Sequence, residues 1–128
     1  MCGHFEDIMR TNQRTIQHLR KLGLRCQTVE KYNMYSRRYN DLFSIIDIIM
    51  LDHSRGVVGI QACGTDFQQH IRKLTIDEVE NTRAWLETPG TVLEIWGWSK
   101  KLKVKGGKLK IWKPRIQEIR LGDLSRTQ

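Results

Sequence analysis

Hydrophobic residues near the N-terminus recur three, four and seven positions apart, which is the spacing of one face of an amphipathic helix. These residues are Ile8, Met9, Ile16, Leu19 and Leu22. Gly23 follows directly and suits the left-handed conformation that commonly ends a helix. The pattern therefore predicts a helix over residues 8–22.

The pattern then changes to that of strands. Residues 24–32 mix apolar and polar positions and predict a half-buried strand, whereas residues 33–40 predict a polar loop that carries arginines. Residues 42–51 and 57–63 are short, β-branched and apolar at nearly every position, which is typical of central strands covered on both faces. Residues 52–56 between them have turn composition, so we expect these two strands to form a hairpin.

Two helices are predicted next, over residues 66–74 and 76–86. Thr65 and Thr75 precede them and are candidate N-caps. A Pro-Gly pair at positions 89 and 90 ends the second helix.

The last third of the chain predicts strands again. Residues 92–98 form one strand, and residues 102–105 and 109–112 alternate around a Gly-Gly pair like a two-residue hairpin, which places lysines on one face. The order is helix, three strands, helices, strands. We therefore expect a single α/β domain over residues 1–128 with a central mixed sheet flanked by helices.

The formal net charge is +8, and the surplus is concentrated at one end of the chain. Residues 1–98 hold 12 Lys and Arg against 12 Asp and Glu, whereas residues 99–128 hold 10 against 2. Clustered basic charge favours a polyanionic partner, because neutralising phosphates releases condensed counterions. The basic hairpin and tail over residues 99–128 therefore predict a nucleic-acid partner, DNA first with RNA still open, although a solvated basic tail has the same composition.

The sequence also bears on the compartment. It has no apolar run long enough for a membrane span, and its N-terminus carries acids where a signal peptide carries bases. The three cysteines, Cys2, Cys26 and Cys63, lack the spacing of a zinc site. We expect reduced thiols, a cytoplasmic location and no membrane partner.

Asp47 is the residue that most needs explanation, because it lies among four isoleucines in a predicted central strand. A carboxylate buried there costs several kcal/mol unless something compensates it. Pairing with Arg38 at a strand edge is one solution, and a metal or catalytic role is the other. If Leu51 pairs with Val57 across the predicted hairpin, Asp47 falls opposite Gln61, close enough for both to share a divalent cation. Cys63 lies on the same face by strand alternation.

The PD-(D/E)XK nucleases carry an acid near the end of one core strand, then a turn, and then an acid-x-lysine motif on the next strand. This chain resembles that pattern. Asp47 matches the first acid of that pattern, Gln61 the second acidic position and Cys63 the lysine. Residues 38–43, the Gly-Trp-Ser-Lys stretch and the element order over residues 12–98 are similar to small phage-associated members related to Holliday-junction resolvases. The resemblance implies a restriction-endonuclease-like fold and Mg²⁺-dependent or Mn²⁺-dependent hydrolysis of phosphodiesters in DNA. It further implies a symmetric homodimer and a bacterial or phage-infected host cell.

Gln61 and Cys63 depart from the family pattern, since neither supplies the expected charge. The resemblance directs attention to Lys73 on the following helix as a replacement for the missing lysine, and to Asp41 and Glu30 as sources of a second carboxylate. We interpret the histidines, including His70, as structural or exposed, because they have no metal-binding spacing. The candidate nucleic-acid contacts are Arg38, Lys100, Lys101, Lys103, Lys105 and Lys108.

Two functions compete at this point. The first is a metal-dependent endonuclease acting on DNA, including branched or junction DNA, with Asp47, Gln61, Asp41 and Glu30 as metal ligands. The second is a nucleic-acid-binding protein that retains the nuclease fold with a degenerate, inactive site. A basic structural protein without any site is a third alternative.

Overall fold

A computed structural model describes residues 2–125 of the chain, with the side chains of the first helix described from Arg10 onward. The predicted contributions of Cys2, His4, Ile8 and Met9, and of residues 126–128 of the basic tail, therefore lie outside the described side chains. Three α-helices and two shorter helical turns are present in the described part of the chain. They are α1 (Cys2–Lys21), α2 (Phe67–Arg72), a π-turn (Lys73–Asp77), α3 (Val79–Glu87) and a 3₁₀ turn (Leu121–Asp123).

Seven strands accompany these helices. They are β1 (Arg25–Thr28), β2 (Lys31–Asn33), β3 (Arg38–Asn40), β4 (Ile48–Asp52), β5 (Gly56–Cys63), β6 (Thr91–Leu102) and β7 (Lys110–Ile119). Five of them form one sheet in the order β1-β4-β5-β6-β7, and β2 and β3 form a separate two-stranded sheet. Only the β5–β6 pair of the larger sheet is parallel. The prediction of one α/β unit with a mixed sheet and flanking helices is thus confirmed.

The sheet separates two hydrophobic clusters. α1 covers one face, which is filled by Ile16, Leu19, Ile48, Met50, Val58, Ile60, Trp96 and Trp98. The other face is filled by Ile45, Ile46, Cys63, Phe67, Leu74, Val79, Leu93, Ile95, Ile119 and Leu124. Each fully buried aliphatic side chain contributes about 1.5–3 kcal/mol of transfer free energy, so this two-sided burial is what holds the layers together.

The predicted β4–β5 hairpin is confirmed, and its register is the expected one. Leu51 pairs with Val57 and Ile48 pairs with Ile60. The backbone N–H of Asp47 donates to the carbonyl of Ile60 at 2.9 Å, so Asp47 and Ile48 both face Ile60 and the ladder is offset by one residue just before the strand begins. The ladder therefore does not place Asp47 directly opposite Gln61 as predicted, although both side chains contact Asp41 at this end of the pair.

The single strand predicted over residues 42–51 is wrong in its first half. Leu42 forms an isolated bridge with Ile46, and Phe43 and Ser44 between them have φ of +52° and +63°. The chain reverses here because the turn buries Ile45 completely in the cluster on the α2 side of the sheet. The apolar pattern predicts a strand over residues 42–46, but these residues form a turn whose apolar side is packed.

The strand predicted over residues 24–32 is also wrong in part, because it divides into β1 and β2. At the break, the N–H of Val29 donates to the carbonyl of Asp47 at 2.9 Å, and the chain then leaves the main sheet. The predicted loop over residues 33–40 contains the turn of the β2–β3 hairpin and strand β3.

The sequence predicts three residues that begin or end helices. Gly23 follows α1 with φ +78°, which confirms it as the residue that ends the helix. Thr65 and Thr75 as N-caps are wrong: Asp66 precedes α2 without a side-chain cap bond, and Thr75 lies inside the π-turn, where its hydroxyl donates to the carbonyl of Ile71.

The C-terminal strands differ from the prediction in length. Residues 92–98 and 102 belong to one strand, β6, and β7 runs far beyond residue 112. A two-residue Gly-Gly turn is wrong, since Leu102 pairs with Lys110 and residues 103–109 connect them. Among the described residues, no helix is long and apolar enough to cross a membrane.

Candidate functional site

Three carboxylates meet at one end of the large sheet. Glu30 lies two residues after β1, Asp41 directly follows β3, and Asp47 directly precedes β4. One carboxylate oxygen from each lies within 4.8 Å of the others. Three separate segments therefore deliver an acid to the same point, as predicted for Asp41 and Glu30.

The convergence depends on the turn between Asp41 and Asp47. The N–H groups of Leu42 and Ile46 donate to the carbonyls of Ile46 and Leu42 at 2.8 and 3.0 Å, which closes the loop on itself. This turn, and not the predicted unbroken strand over residues 42–51, brings Asp41 beside Asp47.

Asp47 is 5% exposed. One of its oxygens accepts a hydrogen bond from the backbone N–H of Ala62 at 3.0 Å. Burial, together with the hydrogen bond and negative charge of Asp41, raises the pKa of Asp47 well above its ordinary value. Without a bound cation the Asp47 carboxyl is therefore the protonated member of the pair.

Asp41 is the ionised member. Burial alone would raise its pKa, but the hydrogen bond with Asp47 and the charge of Lys73 lower the pKa of Asp41 overall. Its Oδ2 accepts from the ammonium of Lys73 at 3.1 Å and from the amide of Gln61 at 3.0 Å. A carboxylic acid and a carboxylate thus share one proton, as expected for two acids in close contact.

Glu30 closes the cluster on the side of α1. The Asn12 side chain, 2% exposed, donates from Nδ2 to Glu30 Oε1 at 2.6 Å. Burial raises the pKa of Glu30 despite this bond. Asn12 Oδ1 is buried and has no hydrogen-bond partner among the described residues, so the Asn12 amide retains one unsatisfied acceptor.

Gln61 has a defined amide orientation. Its Nε2 donates to Asp41 and to the carbonyl of Ile45 at 2.9 Å, and its Oε1 lies 2.9 Å from His70 Nδ1. The nitrogen therefore faces the acids, and ligation of a metal by Oε1, which stays a prediction, requires the amide to rotate. In this arrangement Gln61 links the acid cluster to His70.

Cys63 contributes no charge to the acid cluster. It is 4% exposed, and burial, with the negative charges of Asp66 and Asp47, raises the pKa of its thiol to about 12. Its sulfur lies with Asp66 and His70 in a second group whose ligand atoms are within 4.8 Å of one another. His70 Nε2 lies 3.0 Å from Asp66 Oδ2, so both ring nitrogens of His70 are already engaged.

Lys73 reaches the site from the π-turn, where the N–H of Glu78 bonds to the carbonyl of Lys73 at 2.7 Å. The wider i→i+5 turn is rare and occurs often at functional sites. The structure thus brings together Asp47, Asp41, Glu30, Gln61 and Lys73. Sequence reasoning missed Asn12, His70 and Asp66, although the i,i+4 spacing of Asp66 and His70 was a readable signal.

A cleft of about 580 Å³ opens on the group formed by Cys63, Asp66 and His70, and none of the three clustered acids lines it. Its walls include Cys63, Gly64, His70 and Trp112. The guanidinium of Arg14 lies 3.7 Å from the centre of the Trp112 ring. Arg14 therefore holds the indole by a cation–π contact at the mouth of the cleft.

A basic ribbon extends from the same end of the sheet. It consists of the last residues of β6, the connection over residues 103–109 and the first residues of β7. β5 ends at Cys63, opposite Gly97, but β6 continues to Leu102 with β7 beside it. The extension is about 16 Å long at 3.3 Å per residue. Its predicted nucleic-acid contacts Lys100, Lys101, Lys103, Lys105 and Lys108 are all exposed, and Arg38 is exposed on β3.

The acids are oxygen donors only, and hard cations such as Mg²⁺ and Mn²⁺ prefer such ligands. The three carboxylate oxygens lie within 4.8 Å of one another, and a divalent cation would relieve their mutual repulsion and the burial of Asp47. The residues present therefore fit a divalent metal held by Glu30, Asp41 and Asp47. Comparison of the chain with family models, curated proteins and solved structures found no match.

Proposed function

We propose that the protein is a metal-dependent endonuclease that hydrolyses phosphodiester bonds in DNA. The observation that carries the proposal is that three carboxylates meet at the end of the sheet from which the basic ribbon extends. Acids that gather a divalent cation and cations that gather phosphate are both needed for phosphodiester hydrolysis. The PD-(D/E)XK resemblance supports the same assignment.

The residues have distinct roles in this proposal. Asp47, Asp41 and Glu30 would hold Mg²⁺ or Mn²⁺, and such an ion would supply the positive charge that phosphodiester hydrolysis needs. The Lys73 ammonium, which bonds to Asp41 Oδ2, lies close enough to the acids to stabilise the charge that develops on a phosphate bound there. Gln61 and His70 keep Asp41 in place, and the ribbon lysines bind the backbone on either side.

One observation favours the alternative, a binding protein that retains the fold without turnover. Gln61 directs its nitrogen to the acids, and the Cys63 thiol is neutral. In that case the wild type binds DNA but leaves branched, linear and single-stranded DNA intact in Mg²⁺ or Mn²⁺. Cleavage that EDTA abolishes contradicts the alternative.

Replacing Asp47 with Asn should remove both metal binding and cleavage, because the substitution keeps the shape and hydrogen-bonding capacity but removes the charge that a hard cation needs. Titration calorimetry with Mn²⁺ and a cleavage assay on branched DNA measure the two effects. Asp77→Asn, at an exposed carboxylate of the π-turn, is the matched control and should behave as wild type. Unchanged cleavage by Asp47→Asn would refute the site.

Asp47 should also make the metal-free protein less stable as the pH rises. Between the unfolded pKa of about 4 and the raised folded pKa, the native state binds more protons than the unfolded state, so the free energy of unfolding falls with pH. Urea unfolding in EDTA from about pH 5 to about pH 8 should slope downward in wild type, by at most about 1.4 kcal/mol per pH unit for one proton, and be flatter in Asp47→Asn.

Asp52→Asn is the control for this measurement. Hydrogen bonds from Ser54 and Arg55 lower the pKa of Asp52, so it affects the pH dependence only below about pH 4. Its slope at higher pH should therefore equal that of wild type. Parallel curves for wild type and Asp47→Asn would show that Asp47 is ionised in the folded protein.

Lys73→Ala should lower the single-turnover cleavage rate roughly a hundredfold while DNA affinity changes little, since the ammonium acts on charge that develops only in the transition state. Arg72→Ala removes an exposed cation from the neighbouring position and is the matched control. If both variants cleave at the wild-type rate, the catalytic positive charge comes from another group.

Neutralising the five ribbon lysines to Gln should weaken DNA binding and flatten its dependence on salt, because each lost phosphate contact reduces the number of counterions released. Binding isotherms at several salt concentrations measure the slope. The control replaces Arg20, Lys21 and Arg25, which are exposed at the opposite end of the sheet. Equal slopes for the ribbon variant and wild type would show that the ribbon does not contact the backbone.

A further inference from the structure

Residues 31–40 form an arm, the tyrosine arm, between two of the candidate metal ligands. Glu30 directly precedes β2 and Asp41 directly follows β3. The two strands pair only with each other, in a sheet of their own. The base of the tyrosine arm is therefore the acid cluster itself, and its strands extend from there.

The tyrosine arm exposes large side chains that a solvated hairpin does not need. Tyr35 is 101% and Met34 81% exposed at the tip. Tyr32 and Tyr39 lie directly opposite each other, with ring centres 5.1 Å apart, and are about half exposed. A two-stranded hairpin alone is marginally stable, so these rings stiffen it while leaving aromatic surface outside.

The tip has a fixed backbone. Asn33 Oδ1 accepts hydrogen bonds from the N–H groups of Tyr35 and Ser36 at 2.9 and 3.1 Å. Arg37 completes the turn with φ +56°. The backbone that carries Tyr35 is thus held before any ligand binds, which lowers the entropic cost of using that ring as a contact.

The charge of the tyrosine arm identifies its partner as an anion. It contains Lys31, Arg37 and Arg38 and no acidic residue. Aromatic rings between cations are the combination with which proteins bind single-stranded nucleic acid, where the rings stack on bases and the cations follow the phosphates. A neutral apolar partner would gain nothing from the three cations, so uncharged residues would suit such a partner better.

We propose that the tyrosine arm binds unpaired nucleotides adjoining the phosphate that enters the acid cluster, with Tyr35 stacked on a base. This deepens the proposed function and rests on it, since it defines the substrate as DNA with a gap, flap or branch at the cleavage point. Bases inside a duplex stack on one another and present no free face to a tyrosine ring. Unpaired bases do, so the aromatic tip selects for them.

The test compares a gapped duplex, with 2-aminopurine in the gap, against the fully paired duplex of the same sequence, both in EDTA. Wild type should bind the gapped DNA about tenfold more tightly, which corresponds to one stacked base, and should change the 2-aminopurine fluorescence. Tyr35→Ala should lose this preference and the fluorescence change while keeping duplex affinity. Tyr35→Phe retains the ring and should behave as wild type.

Leu22→Ala is the control, because Leu22 is exposed apolar surface that follows α1, at the opposite end of the sheet from the ribbon. A preference for gapped DNA that survives Tyr35→Ala, or that Tyr35→Phe abolishes, overturns the proposal. So does a Tyr35-dependent homodimer in sedimentation without any effect on DNA binding, because the tip is then a contact between copies.

The metal-free design separates this proposal from the nuclease assignment. If wild type prefers gapped DNA through Tyr35 but never cleaves in Mg²⁺ or Mn²⁺, the nuclease assignment fails and the tyrosine arm stands as a binding site. If wild type cleaves paired and gapped DNA equally and binds both alike, the tyrosine arm fails and the nuclease assignment stands.

Discussion

The burial of the Asp47 carboxyl is the constraint around which this end of the molecule is organised. An unpaired carboxylate in that position is costly, and the fold answers with a proton shared with Asp41, an N–H from Ala62 and the ammonium of Lys73 on Asp41. Replacing any one of these leaves charge or a donor unpaired. The compensation extends outward through Gln61 and His70, so the hydrogen-bond network from β4 to α2 exists because of one acid.

The topology then places the three acids, the basic ribbon and the tyrosine arm at the same end of the sheet. Strands β1, β4 and β5 begin or end there, so the acids after β1 and before β4 meet. β6 is longer than its parallel neighbour β5, and the excess length becomes the basic ribbon. The tyrosine arm is inserted between Glu30 and Asp41 at that end. Opposite charges are thus separated along one surface, which suits a polyanion bound through cations.

The sequence allowed the layer order, the β4–β5 register and the burial of Asp47 to be predicted, because these depend on local periodicity and on one charge in an apolar run. It did not reveal the turn at Phe43 and Ser44, whose positive φ values are imposed by the burial of Ile45 and carry no glycine to signal them. Lys73 was predictable only as an alternative, since the π-turn that presents it has no sequence signature. The role of His70 depends on tertiary contacts with Gln61, which spacing alone does not show.

The residues at positions 61 and 63, where the chain differs from the PD-(D/E)XK pattern it resembles, suit this packing. A Glu at position 61 would place a fourth carboxylate against Asp41 and the carbonyl of Ile45, both of which need a donor, and the Gln61 amide supplies it. A Lys at position 63 would extend from a side chain that is 4% exposed within the cluster containing Phe67 and Leu74, where its charge would be desolvated. The cation that does reach these acids comes from the helical layer, where Lys73 keeps its ammonium partly in solvent and pairs with Asp41.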